Sequence, residues 1–365
     1  MQQSHVKTFV RRLSNTILRQ VMQIQILAKT DLISLGDLPI DEIWGLLHKM
    51  WEIKRIRKEA YTRDNKHPPF YANSLKGVRP YSLFNYPSIR TIGSYSVALN
   101  EMGACCNQHF NLETIPRTYS NEKISHVARV LSGSQLPWFH LGYVRVHGSN
   151  GDHFIRKLAK HSTVPIINAM TKTFHPLQGL TDIFTLLEEW QYFEGQSIGG
   201  RQITWFGMGN NNVTHSVMLA ASAVGIDFLL MCPEKEDCFP PSEVLQKIKT
   251  FSEHSGSTIM INNPAKIVNT DAVFADTHSL GDTSEEKLRS KEILAPYRVD
   301  EEKVQEIENP DWVFLHCMPI HLTQDETDYE EVSQKIADGA HSRIFPEAEN
   351  RLYAIMAVLH SLTKS

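Results

Sequence analysis

The chain has 365 residues, a length that predicts about two domains, each large enough to bury a core. Its composition is 41% hydrophobic and 21% charged with a formal net charge of -4, which argues against a strongly basic nucleic-acid-binding protein. No apolar run approaches the ~18 residues that span a bilayer, so we expect a soluble protein with neither a membrane nor a nucleic acid as partner.

The cysteine spacing argues against disulfides and zinc. No Cys-x-x-Cys pair is present, and no histidine lies at a spacing suited to zinc. We therefore expect a reducing compartment, no disulfide framework and no structural metal. The cysteines concerned are Cys105, Cys106, Cys232, Cys238 and Cys317.

Residues 1–32 form a basic N-terminal extension with no acidic residue before Asp31. Its apolar residues between Val6 and Val21 recur at near-helical spacing. An organelle transit peptide, which would place the protein in an organelle matrix, is one interpretation. The other is an extra N-terminal helix that packs on its own domain or on a neighbouring subunit of a cytoplasmic protein.

The first half of the chain alternates helical and strand patterns. Residues 37–51 begin with acids and continue with apolar residues at helical spacing, which predicts a helix. Further helices are predicted at 89–103, 122–132 and 151–161. Strands are predicted at 80–85, 139–146 and 164–167.

A long amphipathic stretch at 177–193 predicts a helix that joins this half to a second series of elements. That series has helices at 213–224 and 242–253 and, near the C-terminus, at 346–361. Its strands are predicted at 202–206, 227–231, 258–261, 272–275 and 312–315. Such alternation predicts the α/β class, with two parallel β-sheets covered by helices.

Ser88, Arg90 and Thr91 fall where the first strand runs into a helix. A helix N-terminus offers unpaired N–H groups and a partial positive charge, so these side chains make a candidate phosphate or carboxylate site. Because Ser and Thr are also common N-caps, a capped helix with a surface arginine is the alternative.

Further motifs follow in a fixed order. The set is Ser88-Ile-Arg-Thr91, Phe174-His-Pro-Leu-Gln178, Gly209-Asn-Asn-Asn-Val-Thr-His-Ser216, His316-Cys-Met-Pro319 and Glu347-Ala-Glu-Asn-Arg351. Together they resemble the aspartate/ornithine carbamoyltransferase family over roughly residues 33–360, and the fourth motif is similar to the ornithine branch.

The resemblance implies two α/β domains, each a parallel sheet flanked by helices, joined by long interdomain helices. Residues 33–180, completed by a C-terminal helix within 346–365, would bind carbamoyl phosphate, and residues 181–345 would bind the acceptor. The implied reaction moves the carbamoyl group to the side-chain amine of L-ornithine or a close analogue, giving a citrulline-like ureido amino acid and phosphate. It implies no cofactor and no metal, and a homotrimer or higher multiple.

The resemblance also assigns site residues. Carbamoyl phosphate would be bound by Ser88, Ile89, Arg90, Thr91, Arg145, His175, Gln178, Met318 and Arg351. The acceptor would be bound by Asn212, Asp276, Ser279, Leu280 and Cys317. The catalytic residues would be Arg145 and His175, as donors to the carbamoyl oxygen, and Cys317, beside the path of the amine.

Without the resemblance, each catalytic candidate has an ordinary structural interpretation. His175 before a proline is typical of a helix start, Arg145 of a strand end at the surface, and Cys317 of a buried thiol.

Four departures from the family pattern keep alternatives open. In the phosphate loop, Tyr86 replaces a lysine, and Ile89 and Ile92 replace a threonine and an arginine. The acceptor loop, Asp276-Thr-His-Ser-Leu-Gly281, is one residue shorter than usual, and an extra asparagine leaves Asn211 as an alternative to Asn212. The acceptor could therefore be another diamino acid, an acylated ornithine or a diamine, or the protein could be a non-catalytic homologue. Retention of Asp276 favours a free α-amino group.

Overall fold

A computed structural model describes residues 30–62, 69–113, 122–133, 137–277, 284–320 and 330–363, without the side chains of 284–287. The helix predicted in the N-terminal extension lies outside these ranges, as do Ser279 and Leu280. The helices are α1 (Ile40–Thr62), α2 (Ile89–Glu101), α3 (Ile124–Ser132), α4 (Gly151–His161), α5 (Pro176–Glu189), α6 (Asn212–Val224), α7 (Ser242–Ser255), α8 (Ser284–Leu294), α9 (Glu301–Val304), α10 (Gln334–Ala337) and α11 (Ile344–Ser361).

The strands form two separate parallel sheets, in the orders β2-β1-β3-β4 and β7-β6-β5-β8-β9. This confirms the predicted α/β fold class. The strands are β1 (Pro80–Phe84), β2 (Gln108–Asn111), β3 (Leu141–Arg145), β4 (Ile166–Met170), β5 (Gln202–Phe206), β6 (Asp227–Met231), β7 (Ile259–Ile261), β8 (Ala272–Ala275) and β9 (Val313–Leu315).

Several strands are buried along their whole length. Every residue of β1, β3, β4 and β5 is buried, which is why their sequences read as short apolar runs rather than as alternating patterns. By contrast, the edge strand β2 is half exposed and has the polar sequence Gln-His-Phe-Asn. The sequence pattern did not predict this strand, because only its pairing with β1 makes it one.

Helix α1 continues well past the predicted end at residue 51 and reaches Thr62. Its second half is polar, and tertiary contacts hold it in place. Lys54 Nζ lies 2.7 Å from a carboxylate oxygen of Glu188, and Arg57 donates two hydrogen bonds to Glu101 from its Nε and Nη2 atoms. These partly buried pairs fix α1 against α5 and α2.

Helix α5 is the central packing element. All of its residues from Pro176 to Leu187 are buried, and it packs against α6 on one side and α11 on the other. A side-chain carbon at Gly179 would lie 2.5 Å from the carbonyl oxygen of Ser216, so only glycine permits this approach of α5 to α6. The C-terminal helix α11 packs against α1, α2 and α5. Helix α5 thereby lies between the two sheets, and its N-terminus carries His175 and Gln178.

All five cysteines are free thiols. Within the described ranges, no helix combines the length and the apolar character needed to cross a bilayer.

Candidate active site

The candidate residues come together at the carboxyl ends of the strands. Ser88 follows β1, Arg145 is the last residue of β3, and Asp276 follows β8. His175 follows β4, and Cys317 follows β9. Ligands of open parallel sheets bind beyond the carboxyl ends of the strands, where the chain leaves each strand through a loop.

The phosphate-loop candidates form the start of α2. Ser88 is the N-cap of this helix, and its hydroxyl accepts a hydrogen bond from the N–H of Thr91. Arg90 points to the other sheet and donates a 2.7 Å hydrogen bond to the carbonyl oxygen of Met318. The capped-helix interpretation and the anion-site interpretation are thus compatible, since the cap leaves the guanidinium at the mouth of the site.

Met318 is held in an uncommon backbone conformation, with φ of 57°. Its N–H donates to Nδ1 of His316, while its carbonyl accepts from Arg90. These two bonds fix the turn that follows β9 and thereby the position of Cys317.

The centre of the site is a buried cationic cluster. Arg145 is 8% exposed and Arg351 is 5% exposed, and neither forms an ion pair with a carboxylate in the described ranges. Arg145 donates from Nε to the carbonyl oxygen of Tyr86. Burial, together with the nearby charge of Arg351, lowers the pKa of Arg145 to about 10. Buried guanidiniums without a carboxylate partner are unfavourable unless an anion binds beside them.

His175 is neutral and has a defined tautomer. Burial, together with the charges of Arg351, Arg145 and Arg90, holds its pKa well below the ordinary value. Its Nε2 lies 3.3 Å from Nη2 of Arg351, a donor, so Nε2 accepts and Nδ1 carries the proton. That Nδ1 atom is buried and has no hydrogen-bond partner among the described residues. His175 can therefore donate one hydrogen bond to a ligand.

A second polar cluster surrounds Asp276. Its carboxylate accepts hydrogen bonds from Nδ2 of Asn211 at 2.8 Å, from the thiol of Cys317 at 3.1 Å and from the N–H of Thr277 at 2.8 Å. Burial and the charge of Asp276 raise the pKa of the Cys317 thiol well above its ordinary value, so this cysteine stays protonated.

Asn211 and Asn212 have different positions. Asn211 caps α6, accepts from the N–H groups of Val213 and Thr214, and turns its amide nitrogen to Asp276. Asn212, which the sequence analysis preferred, donates a 2.6 Å hydrogen bond to the carbonyl oxygen of Thr171. Asn211, rather than Asn212, therefore contacts Asp276, the predicted acceptor-binding carboxylate.

The donor atoms of Asp276, His316 and Cys317 lie within 4.8 Å of one another, a spacing that a metal ion could bridge. Each is already hydrogen-bonded within the protein. The thiol of Cys317 donates to Asp276, and Nδ1 of His316 accepts from Met318. Because the Cys317 thiol and Nδ1 of His316 are both engaged within the protein, we assign no metal to this cluster.

Two family models cover most of the chain. The carbamoyl-P binding domain of aspartate/ornithine carbamoyltransferase matches residues 30–188, and the Asp/Orn binding domain of that family matches residues 199–362. The chain belongs to the aspartate/ornithine carbamoyltransferase family. The family predicted from the five motifs is confirmed, as is its ornithine branch.

Individual relatives agree with this membership. The ornithine carbamoyltransferase of Methanosarcina mazei is 32% identical over 339 residues, which cover 92% of this chain and 100% of the relative. The solved structure of the Pyrococcus furiosus ornithine carbamoyltransferase is similar with a TM-score of 0.78 and 30% identity, covering 92% of this chain and 97% of the other. An N-acetyl-L-ornithine transcarbamylase structure is similar with a TM-score of 0.75 at 22% identity, covering 91% and 99%, a likeness that shows the fold alone.

Three buried residues of this carbamoyltransferase chain were not among the predicted site residues. Asp182 and Glu347 contact Gln178 from two different helices, and His316 holds the backbone of Met318. Helical spacing gave a signal for two of them. Asp182 lies four residues after Gln178, and Glu347 lies four residues before Arg351, so each shares a helix face with a predicted site residue.

The departures in the carbamoyltransferase phosphate loop lie at the surface. Tyr86 is 61% exposed, Ile89 is 84% exposed and Ile92 is 36% exposed. None of these side chains is needed for the core of the first sheet. Their exposure leaves the interior cations Arg145 and Arg351 unaffected by the replacements.

Proposed function

We propose that this protein moves the carbamoyl group of carbamoyl phosphate to the side-chain amine of L-ornithine or a close analogue and releases phosphate. The observation that carries the proposal is the buried cationic cluster of Arg145, Arg351 and neutral His175, in which no guanidinium is paired with a described carboxylate. A phosphate group would supply the missing counter-charge through charge-assisted hydrogen bonds.

The donor substrate is bound between two groups of residues. The N–H groups at the start of α2, with Ser88 and Thr91, face the phosphate, and Arg90 covers it from the edge. Arg145 and the Nδ1–H of His175 donate to the carbamoyl oxygen, where negative charge grows in the tetrahedral transition state. Loss of one such donor typically costs about 3 to 4 kcal/mol of barrier.

The acceptor approaches from the Asp276 cluster. The carboxylate of Asp276 binds the α-ammonium, and Asn211 fixes that carboxylate. Cys317, an uncharged thiol, lines the path of the side-chain amine and favours its neutral form. The amine nitrogen attacks the carbamoyl carbon, the bond from that carbon to the phosphate oxygen breaks, and the departing phosphate takes up the proton that the amine loses.

The experiment that tests the proposal measures ureido-product formation from carbamoyl phosphate with a panel of amines. The panel contains L-ornithine, a shorter and a longer diamino acid, Nα-acetyl-L-ornithine and a diamine. Asp276→Asn should raise the KM for any acceptor that has a free α-amino group, whereas the exposed control Asp338→Asn should behave as the wild type. We expect L-ornithine to be preferred.

The other outcomes discriminate among the alternatives. A preference for the acetylated compound or the diamine would remove the proposed role of Asp276 in binding an α-ammonium. If folded protein turned over no amine and did not bind inorganic phosphate in calorimetry, the protein would be a non-catalytic homologue.

We further propose a homotrimer or a higher multiple. The support is the group of exposed apolar side chains at the phosphate loop, Tyr86, Ile89 and Ile92, which a neighbouring subunit would cover. Sedimentation equilibrium of the wild type and of Ile89→Glu tests this. We expect a trimer for the wild type and dissociation for the variant, and a monomeric wild type would contradict the proposal.

We propose the cytoplasm as the location, in agreement with the five free thiols. Mass spectrometry of the protein from its native cells tests this, since loss of about thirty N-terminal residues would favour the organelle matrix instead.

A further inference from the structure

Two carboxyl groups are buried beneath the candidate active site. Asp182 on α5 and Glu347 on α11 are each 1% exposed, and their carboxyl groups lie side by side, both accepting a hydrogen bond from Nε2 of Gln178. Neither forms an ion pair with a basic side chain within the described ranges. Their position connects α5, which follows His175, to α11, which carries Arg351.

Gln178 is oriented by both carboxyl groups. Its Nε2 donates to Oδ1 of Asp182 at 2.6 Å and to Oε1 of Glu347 at 2.8 Å, so both amide hydrogens are used. Its Oε1 accepts from Nη1 of Arg351 at 2.5 Å. A flipped amide would place oxygen against two carboxyl oxygens and nitrogen against a guanidinium. The pair therefore keeps the Gln178 oxygen on the side of Arg351, where its second lone pair remains available to accept from a carbamoyl N–H.

Glu347 also fixes the segment after β9. Its Oε2 accepts a 2.9 Å hydrogen bond from the backbone N–H of His316, the residue before Cys317. Both oxygens of Glu347 are thus occupied by N–H donors. Oδ2 of Asp182, in contrast, is buried and has no hydrogen-bond donor among the residues that the structure describes. A proton on Oδ2 of Asp182 would satisfy this oxygen and supply the hydrogen of the contact with Glu347.

The surroundings favour retention of a proton by the pair. Two buried carboxyl groups in contact cannot both ionise without strong repulsion. Burial raises the pKa of Asp182 to about 7 and that of Glu347 well above its ordinary value. Arg351 opposes this effect and the charge of Asp276 reinforces it. The titratable or polar groups that face the pair are Gln178, Arg351, Asp276, His316 and Cys317.

We propose that Asp182 and Glu347 share one proton and act together as positioning residues for carbamoyl transfer. With that proton in place, the pair holds Gln178, Arg351 and the segment from His316 to Met318 in register. When the proton is lost, both carboxyl groups are negatively charged and repel each other. The pair then no longer holds these groups in register. The role in turnover rests on the proposed function, whereas the shared proton itself does not.

Asp182→Asn and Glu347→Gln test the proposal as a pair. An asparagine amide at position 182 reproduces the shared hydrogen permanently, so we expect kcat/KM within about threefold of the wild type. A glutamine amide at position 347 must place its nitrogen against a donor, either Nε2 of Gln178 or the N–H of His316. We expect it to raise the KM for carbamoyl phosphate and lower kcat/KM about tenfold or more. Glu349→Gln, on the exposed face of the same helix, is the matched control.

The pH profile separates this role from a merely structural one. In the wild type, kcat/KM should decline on the alkaline side as the pair loses its proton. In Asp182→Asn the decline should vanish or move to higher pH, because the amide proton is not lost. An unchanged profile in Asp182→Asn would overturn the proposal, as would wild-type activity in Glu347→Gln. If Glu347→Gln does not fold, the profile of Asp182→Asn decides alone.

Infrared difference spectroscopy gives a readout without activity. The resting wild type at neutral pH should show the carbonyl band of a protonated carboxylic acid, which Asp182→Asn removes and Glu349→Gln leaves. No such band in the wild type would refute the shared proton. A clear band in a protein that turns over no amine would instead mean that the proposed function fails while the pair stands.

Discussion

At the scale of single residues, the site combines buried cations with groups whose charge is suppressed. Arg90 lies in the first turn of α2, and its guanidinium donates a hydrogen bond to the carbonyl oxygen of Met318 beyond β9. It therefore connects the phosphate loop to the segment that carries Cys317. It is also the guanidinium that remains in a loop where Ile92 replaces a second one.

Arg90→Ala should abolish turnover, because the phosphate loses the guanidinium of its loop. The fold should remain intact, because the Arg90 side chain is only half-buried. We expect a loss of about 100-fold or more in kcat/KM. Arg90→Lys keeps the charge but not the planar set of N–H donors, so its kcat/KM should lie between those of the wild type and Arg90→Ala. Initial rates and circular dichroism of the three proteins provide the measurement. Near-normal activity in Arg90→Ala would contradict the assignment of the phosphate site.

The thiol of Cys317 should be unreactive. Burial and the neighbouring Asp276 raise its pKa, so the thiolate that reacts with alkylating agents is scarce at neutral pH. Cys105 and Cys106 are exposed. After brief treatment with iodoacetamide, mass spectrometry should find label on Cys105 and Cys106 and little on Cys317. Rapid labelling of Cys317 at neutral pH would contradict the hydrogen-bonded contact between its thiol and Asp276.

At the scale of elements, helix starts and strand ends supply the functional groups. Asn211 illustrates this, because one side chain caps α6 and also holds Asp276 after β8. A helix cap and an acceptor contact are separable properties, since only the oxygen of the amide serves the cap and only the nitrogen serves Asp276.

Asn211→Ala should lower the free energy of unfolding by about 1 kcal/mol through loss of the cap and should raise the KM for the amine. Asn211→Asp should restore the cap but not the KM, because a second carboxylate would face Asp276. Denaturant unfolding and steady-state kinetics measure the two effects. Asn212→Ala is the comparison, and a larger rise in KM for that variant would return the acceptor role to Asn212.

At the scale of the whole molecule, α5 and α11 connect the two sheets through polar groups as well as apolar packing. The Asp182 and Glu347 pair lies in that connection, and burial raises the pKa of both carboxyls. For a carboxyl whose pKa is raised on folding, the contribution to stability is fully present below the ordinary pKa and is lost as the pH rises through the folded value.

We therefore expect the wild-type free energy of unfolding to contain a term that falls as the pH rises from 3.8, the ordinary value for Asp182, through about 7. Asp182→Asn lacks one of the two titrating groups, so it should gain stability relative to the wild type over this range. Urea unfolding at a series of pH values measures the difference between the two proteins. A difference that does not change with pH would show that Asp182 titrates alike in the folded and unfolded chain.

Local patterns in the sequence were enough to predict the alternation of strands and helices, the family and the loops in which the candidate groups lie. Buried parallel strands read as short apolar runs, and the motifs occupy strand ends, so local pattern was sufficient for them. It missed β2, whose polar residues become a strand only by pairing with β1, and it ended α1 too early because its second half depends on partners such as Glu188.

The contacts between side chains, in contrast, follow from how the helices and strands pack in three dimensions. Asn211 and Asn212 have the same side chain, and only their positions at the start of α6 direct the first to Asp276 and the second to Thr171. Likewise, an acidic residue on a helix is usually at the surface, and only the packing of α5 against α11 buries Asp182 beside Glu347. The chemistry of this site depends on such contacts between residues distant in sequence, which no local pattern encodes.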